Sequence, residues 1–324
     1  MDWNKYITGF VDKANNGDVE SMNKLHVLYY YETHLLQNFN DKLIEFYQSG
    51  ADKPYSSYQL ALFELNGLND KPINFEKGIE LLKKSMELGC SQAFVYMAML
   101  KANKMTDYGN YNELLETGMK MKNSNAFLLM AEDTTSKKKK VEYYKRAIDL
   151  GHTGTYYYLG QFYHDNDELK LAKKYYLLGT KANDKHCYFN LGVMMREGEF
   201  FEKDTDKAIK LFQDSFELGN VKAATCIGSI YQDEDDMENA EKYYKLAIDK
   251  DEMVACHNLG NIYNDDKKYK EAIKLYIKGA LLGHLECMKK LSLFGVNVTS
   301  SEEDIDKVIA MRELFKGFGC MDEY

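Results

Sequence analysis

Seven histidines and six cysteines are the side chains of this chain best suited to ligate a metal or act as nucleophiles. Three placements bring them together: His186-Cys187, Cys256-His257 and His284-x2-Cys287. Neighbours in sequence point to different faces of a helix, so neither adjacent pair can share a ligand. The third spans a helix start, and no second pair repeats it at zinc spacing. Six cysteines in 324 residues is not the density of a disulfide scaffold. Cys187 and Cys287 are read as small buried hydrophobes. Ser21-x2-Lys24 has the spacing at which a lysine one turn away activates a hydroxyl, but the Lys-Thr-Gly and Ser-Asp-Asn partners of such a site are missing. Asp233-Glu234-Asp235-Asp236 lacks the glycine and the glutamate of a calcium loop. Asn297-Val298-Thr299 has the form of a glycosylation acceptor but no secretory route to serve it. There is no glycine-rich phosphate loop. The residues therefore predict no catalytic, cofactor-binding or metal site, and a chain that is not an enzyme.

The elements that would position these side chains follow a repeat. Between Cys187 and Leu285 one pattern is written three times. A small residue (Cys187, Ala223, Ala255) is followed four places on by Leu191, Ile227 or Leu259, then by Gly192, Gly228 or Gly260. Three further on stand Met195, Tyr231 and Tyr263. A second motif follows: Ala208-x3-Phe212-x2-Ser215, Ala240-x3-Tyr244-x2-Ala247 and Ala272-x3-Tyr276-x2-Gly279. Spacings of four, five and eight, then four and seven, return to one face of an α-helix. A short polar turn such as Asn264-Asp265-Asp266-Lys267-Lys268 makes the two helices antiparallel. A fixed period of this kind marks a repeat array. The mid-helix glycine costs about 1 kcal/mol relative to alanine. Close packing of the partner helix offsets that cost, and the substitutes elsewhere (Ala98, Ala131, Ser292) are small too. Leu88-Gly89, Leu150-Gly151, Leu218-Gly219 and Leu282-Gly283 read as helix stops.

Along the chain, a lone helix is expected over 3–16, then one over 19–36 with Met22, Leu25, Leu28, Tyr29 and Leu35, and its partner over 40–49. A further pair is expected over 56–66 and 75–88, separated by Pro72. From Ala93 the small residue recurs at Ala126, Thr155, Cys187, Ala223, Ala255 and Cys287, in steps of 33, 29, 32, 36, 32 and 32. We expect the short step to trim the turn at Thr134-Thr135-Ser136, and the long one to add the loop Glu197–Asp204. After Gly295 the pattern breaks. Ser301 with Asp304 resembles a capping box ahead of a helix over 302–316 that closes the array. The expected organisation is one all-α solenoid over 1–324, with degenerate repeats in 1–74, recognisable ones in 75–293, and a capping helix and tail in 294–324.

Composition narrows the partners. The balance of 42 basic and 51 acidic residues, net −9, lacks the basic footprint of a general nucleic-acid binder. Lys137-Lys138-Lys139-Lys140 is the one basic run, read as the exposed start of a helix whose dipole it opposes. The N-terminus has no apolar signal core, and no run of about 18 apolar residues occurs, so a soluble cytoplasmic protein without membrane insertion is expected. Lysine greatly outnumbers arginine (Arg146, Arg196, Arg312), a bias of AT-rich genomes such as those of amoebal giant viruses, in which case the compartment is the host cytoplasm.

The Leu-Gly-x2-Tyr and Ala-x3-Tyr-x2-Ala pattern is similar to tetratricopeptide repeats. The repeat from Cys187 resembles the Sel1-like branch, with Leu191-Gly192, Gly198, Lys203-Asp204, Lys207-Ala208 and Glu217-Leu218-Gly219. The resemblance implies a right-handed superhelix whose first helices line a concave face, and a non-enzymatic scaffold or adaptor for a protein or peptide. A regulatory subunit of a ubiquitin-ligase or degradation complex is the alternative it permits. It implies no small-molecule substrate and no cofactor. The groove positions it assigns are Tyr157, Gln161 and His164; Phe189, Val193 and Arg196; Thr225, Ser229 and Gln232; His257, Asn261 and Asn264; and Lys289. Asn261 and Lys289 partly echo the clamp with which some tetratricopeptide modules hold a C-terminal carboxylate. Tyr143-Tyr144 and Tyr175-Tyr176 could instead expose an apolar ridge for self-association. If the repeat glycine marks a close contact, Gly228→Leu overpacks it and lowers unfolding free energy by roughly 1–3 kcal/mol in denaturant titration.

Overall fold

The structure, a computed structural model, describes residues 3–16, 18, 21, 44–45, 47–67, 72–200, 202–301, 305 and 309. The expected helix over 19–36, with Lys24, His26 and His34, lies outside the described residues. So does most of the expected capping helix over 302–316, apart from Ile305 and Ile309. Every element among the described residues is helical. Contacts divide the chain into two compact units, residues 1–152 and 153–324.

In the first unit, α1 (Trp3–Asn15) precedes the pair α2 (Pro54–Asn66) and α3 (Phe75–Glu87). Two more pairs follow: α4 (Ser91–Ala102) with α5 (Tyr111–Lys120), and α6 (Ser124–Asp133) with α7 (Lys137–Asp149). The helices of each pair pack on one another, and α3 and α5 also pack on the first helix of the next pair. Leu82, Met97 and Leu115 are fully buried between them. Asn15 ties α1 to α2: its Oδ1 accepts from the Ser56 amide at 3.0 Å and from the Ser56 hydroxyl at 3.1 Å. Pro72 lies in the connection between α2 and α3, as expected. The short repeat step has a different origin from the one expected. The turn Thr134-Thr135-Ser136 is intact at three residues, like those elsewhere, and it is α6 that is short, at ten residues. One helical turn is lost from the helix end. Thr134 is extended, without the left-handed residue of the other three-residue turns, and Ala126 and Ala131 are fully buried. The lysine run opens α7, where the Ser136 hydroxyl caps the helix by accepting from the Lys139 amide.

The second unit holds four pairs and a half. These are α8 (Thr155–Asp165) with α9 (Leu169–Lys181), α10 (Lys185–Glu197) with α11 (Thr205–Glu217), α12 (Val221–Asp233) with α13 (Met237–Ile248), and α14 (Met253–Asp265) with α15 (Tyr269–Leu281), closed by α16 (Leu285–Phe294). Three-residue turns join the helices within α8–α9, α12–α13 and α14–α15, and the left-handed residue of each is Asp167, Asp235 or Lys267. The longer α10–α11 connection is the expected insertion. It begins at Gly198, left-handed at φ 77°, and ends at Asp204, whose carboxylate caps α11.

The repeat glycines show what their missing Cβ makes room for. A Cβ on Gly228 would lie 2.8 Å from the Tyr244 ring, and one on Gly260 would lie 2.6 Å from the Tyr276 ring. Gly160 meets Tyr176 at 2.5 Å and Gly192 meets Phe212 at 2.8 Å. The close approach is therefore between a glycine of each first helix and the aromatic ring of its second helix. In the α2–α3 pair the seat is inverted, with Gly78 on the second helix against Leu65 on the first. A second small contact joins successive pairs. A Cβ on Gly179 would meet Cys187 Sγ at 2.1 Å, and one on Gly279 would meet Cys287 Sγ at 2.5 Å. Both cysteines are fully buried, as small core residues.

The stops behave as expected: Gly89, Gly151, Gly219 and Gly283 take φ between 87° and 94°. Lys122, Asn183 and Asp251 occupy the same place with φ of 59°, 56° and 59°, where a side chain is strained. Lys122→Gly is expected to stabilise the first unit by up to about 1 kcal/mol, read as a higher melting temperature by circular dichroism.

Candidate functional site

The predicted row lies on α8, α10, α12, α14 and α16. Successive first helices touch, α8 with α10, α12 with α14 and α14 with α16. Arg196 of α10 reaches across to α12, so the row is continuous through the second unit.

Several members of the row bond to one another or to the second helices. His164 Nε2 is 2.6 Å from Glu199 Oε2 in the α10–α11 connection. Arg196 donates to Ser229 Oγ at 3.2 Å and to Asp233 Oδ2 at 3.0 Å, while Glu197 lies 3.8 Å from its Nε. Tyr244, with its ring on Gly228, donates its hydroxyl to Gln232 Oε1 at 2.7 Å. Tyr276, with its ring on Gly260, donates to Asn261 Oδ1 at 2.8 Å. The glycine seat thus threads each tyrosine past the first helix, and the amide at the row position receives its hydroxyl. Burial pushes the Tyr244 hydroxyl up to about 12, so it remains a donor.

Other members are held by packing. The Phe189 ring lies 5.4 Å from that of Phe212, and Val193 packs on the same cluster. His257 sits between Tyr276 and His284, with ring centroids 6.4 Å and 5.2 Å away. Burial, with smaller contributions from His284 and Lys290, lowers the pKa of His257 and favours the neutral ring. Its Nε2 is 3.4 Å from Asn261 Nδ2. His284 is the N-cap of α16, where its Nδ1 accepts from the Cys287 amide at 3.3 Å, which accounts for the His284-x2-Cys287 spacing. Thr225 is buried and its hydroxyl has no partner. The Asn264 amide donates to Asp265. Lys289 pairs with Glu286 at 2.6 Å. Asn261 and Lys289, the two members of the partial carboxylate clamp, are thus each engaged within the chain.

Gln161 and Lys289 are the exposed members of the row. Tyr157 is half-buried, 5.1 Å from the His186 ring, and Gln161 is exposed. Residue-by-residue reading of the sequence missed Glu199 and Asp233, the acids that engage His164 and Arg196. A signal existed for one of them. Asp165, Glu197, Asp233 and Asp265 recur ten places after each small residue, and all four are exposed. The tyrosine ridges are not available for self-association, because Tyr144, Tyr175 and Tyr176 are buried. Ser21 donates its hydroxyl to Asp18, while Lys24 is outside the described residues. No helix among the described residues is long and apolar enough to cross a membrane.

This architecture is that of a helical-repeat protein. A Sel1 repeat model matches residues 54–90, 141–152 and 185–220, and tetratricopeptide repeat models match 153–186, 222–251 and 255–282. The chain is a Sel1-like repeat protein of the tetratricopeptide-repeat superfamily, and these families are typically non-catalytic scaffolds for protein–protein interaction. Both complete Sel1 matches share one detail. Ser85 and Ser215 each donate at 2.7 Å to the carbonyl of the residue that opens the first helix of their own pair, Pro54 and Lys185. Among solved structures, the chain is similar to a Sel1 repeat protein from Oxalobacter formigenes, at 18% identity and TM-score 0.57, over 64% of this chain and 94% of that one. It is similar to c5321, a protective antigen present in uropathogenic Escherichia coli strains, at 18% identity and TM-score 0.58, over 94% and 72%. Yeast Tom70 aligns at 16% identity and TM-score 0.51, over 84% and 61%. These likenesses establish the fold, an all-α superhelical repeat. No curated protein sequence matches the chain.

The buried, unpaired hydroxyl at Thr225 separates core from contact surface. Thr225→Val keeps the shape and removes the unsatisfied group. It is expected to stabilise the second unit by about 1 kcal/mol, read by urea titration of residues 153–324 within the whole chain.

Proposed function

We propose that this chain is a non-enzymatic adaptor that holds a protein or peptide partner along the first helices of residues 153–294. The observation that supports it is the continuity of that face. Tyr157 with His186, Arg196 with Ser229 and His257 with His284 join neighbouring first helices by ring contact or hydrogen bond, and His164 pairs with Glu199 of the α10–α11 connection. An extended partner therefore meets one surface across several repeats, and little side-chain ordering remains to be done when it binds. Aromatic and amide groups at Tyr157, Gln161 and Phe189 suit contact with an extended or helical peptide. The exposed carboxylates Asp165, Glu197, Asp233 and Asp265 give this face a negative rim, which favours partner segments that carry lysine or arginine.

The internal bonds decide how the test is built. Arg196 and Asn261 bracket neighbouring elements, so their removal perturbs the face itself. Loss of Tyr157 and Gln161 leaves the Arg196 and Asn261 brackets in place and, of the contacts between first helices, removes only the Tyr157–His186 ring contact at the α8 end of the row. Affinity capture from the native cell extract should retain a partner on the wild-type chain and weaken it at least about tenfold on Tyr157→Ala/Gln161→Ala, with matching helical circular dichroism. A partner held equally by both would move the site off this face.

A further inference from the structure

The second helix α9 turns outward a stripe that the first-helix face does not use. Lys170, Lys173, Lys174, Leu177, Leu178 and Lys181 follow the three- and four-residue spacing of one helix face. With Phe200, from the α10–α11 connection, they line a cleft of about 390 Å³. Leu177 and Phe200 are 43% and 49% exposed. Phe200 also stands at φ 57°, a left-handed backbone that a bulky side chain rarely adopts. Lys173 Nζ lies 5.2 Å from its ring. Among the described residues, Lys170, Lys174 and Lys181 have no ion-pair partner. The matching stripes of the next two second helices carry acids, Asp206, Asp214 and Glu217 on α11 and Glu238, Glu241 and Asp249 on α13. The α9 stripe has none, and neither does that of α15, which carries Lys270, Lys274 and Lys278; α9 differs from α15 in having the exposed Phe200 of the α10–α11 connection beside its lysines.

We propose that this cleft is a second docking site, for an acidic partner segment with a central bulky apolar residue. The apolar residue would cover Leu177, Leu178 and Phe200. Carboxylates on either side would meet Lys170 and Lys174 at one end and Lys181 at the other. Lys170 and Lys181 are eleven positions apart on one helix, about 16 Å at the helical rise. That is the span of about five residues of extended chain. The neighbouring charges favour a narrow peptide over an anionic membrane. A flat surface reaching this cleft would also approach Glu202 and Asp206, both exposed, whereas a single chain enters between the lysines alone.

The probe is a fluorescein-labelled Asp-Glu-Phe-Asp-Glu peptide, titrated by anisotropy into the full chain. Saturable binding is expected, weakening with salt. The Asn-Gln-Phe-Asn-Gln and Asp-Glu-Ala-Asp-Glu peptides should each bind at least about tenfold more weakly. Lys174→Glu/Lys181→Glu should lose at least about tenfold as well. Phe200→Gly should lose a similar factor while melting no lower than wild type, because glycine takes the left-handed backbone without strain. Absence of saturation by about 1 mM peptide, or equal affinity for the variants, overturns the proposal. So does co-sedimentation with phosphatidylserine vesicles that the double lysine variant abolishes while the peptide fails to bind, which would assign the stripe to a lipid surface. A dimer in sedimentation that the same variant dissociates, again without peptide binding, would assign it to a second copy of the chain and overturn the proposal equally.

Discussion

Each second helix of residues 153–281 rests an aromatic ring on a glycine of its first helix. Tyr176, Phe212, Tyr244 and Tyr276 all occupy space that a single Cβ at Gly160, Gly192, Gly228 or Gly260 would invade. Three of the rings are tyrosine, and a buried tyrosine hydroxyl requires a partner. Seating the ring in the glycine notch brings the hydroxyl against the first helix, where Gln232 and Asn261 accept it. One contact therefore sets the distance between two helices and also fixes polar groups on the outer face.

Propagation from pair to pair uses a second size rule. The residue that ends each second-helix motif and the small residue eight places later meet across the junction. Within the second unit, where the first is glycine the second is cysteine, as at Gly179 with Cys187 and Gly279 with Cys287. Where the first is serine or alanine the second is alanine, as at Ser215 with Ala223 and Ala247 with Ala255, all fully buried. The summed bulk is held nearly constant, which close-packed interiors demand. This accounts for the buried cysteines without redox or metal chemistry: burial pushes the Cys187 and Cys287 thiols up, away from the reactive thiolate.

The same rules leave the outer faces free to vary. Along the first helices, Arg196, His164 and Asn261 bind neighbouring elements together, while Gln161 and Lys289 stay exposed. On α9, the buried stripe Ala172, Tyr175, Tyr176 and Gly179 obeys the repeat, and the opposite stripe departs in charge from those of α11 and α13. Stability and recognition are thus divided between two faces of the same short helices. A solenoid permits this because each repeat answers only to its neighbours.

Helix type, pairing, stops and the four-residue insertion after α10 were legible in the sequence, because they depend on local spacing and on backbone preferences that act over one turn. The glycine at each first helix was legible as a close contact, but its partner was not: a ring reaching over from the second helix is set by rotamer and helix crossing. The missing residues of the short repeat came from a helix end, α6, and not from its turn, a choice made by burial of Ala126 and Ala131. The positions of the interaction row followed from helical spacing alone. Which of them remain available was decided only by tertiary structure. The acids at Glu199 and Asp233 and the hydroxyls of Tyr244 and Tyr276 arrive from other helices or connections, and hydrogen bonds form between groups that sequence distance does not relate.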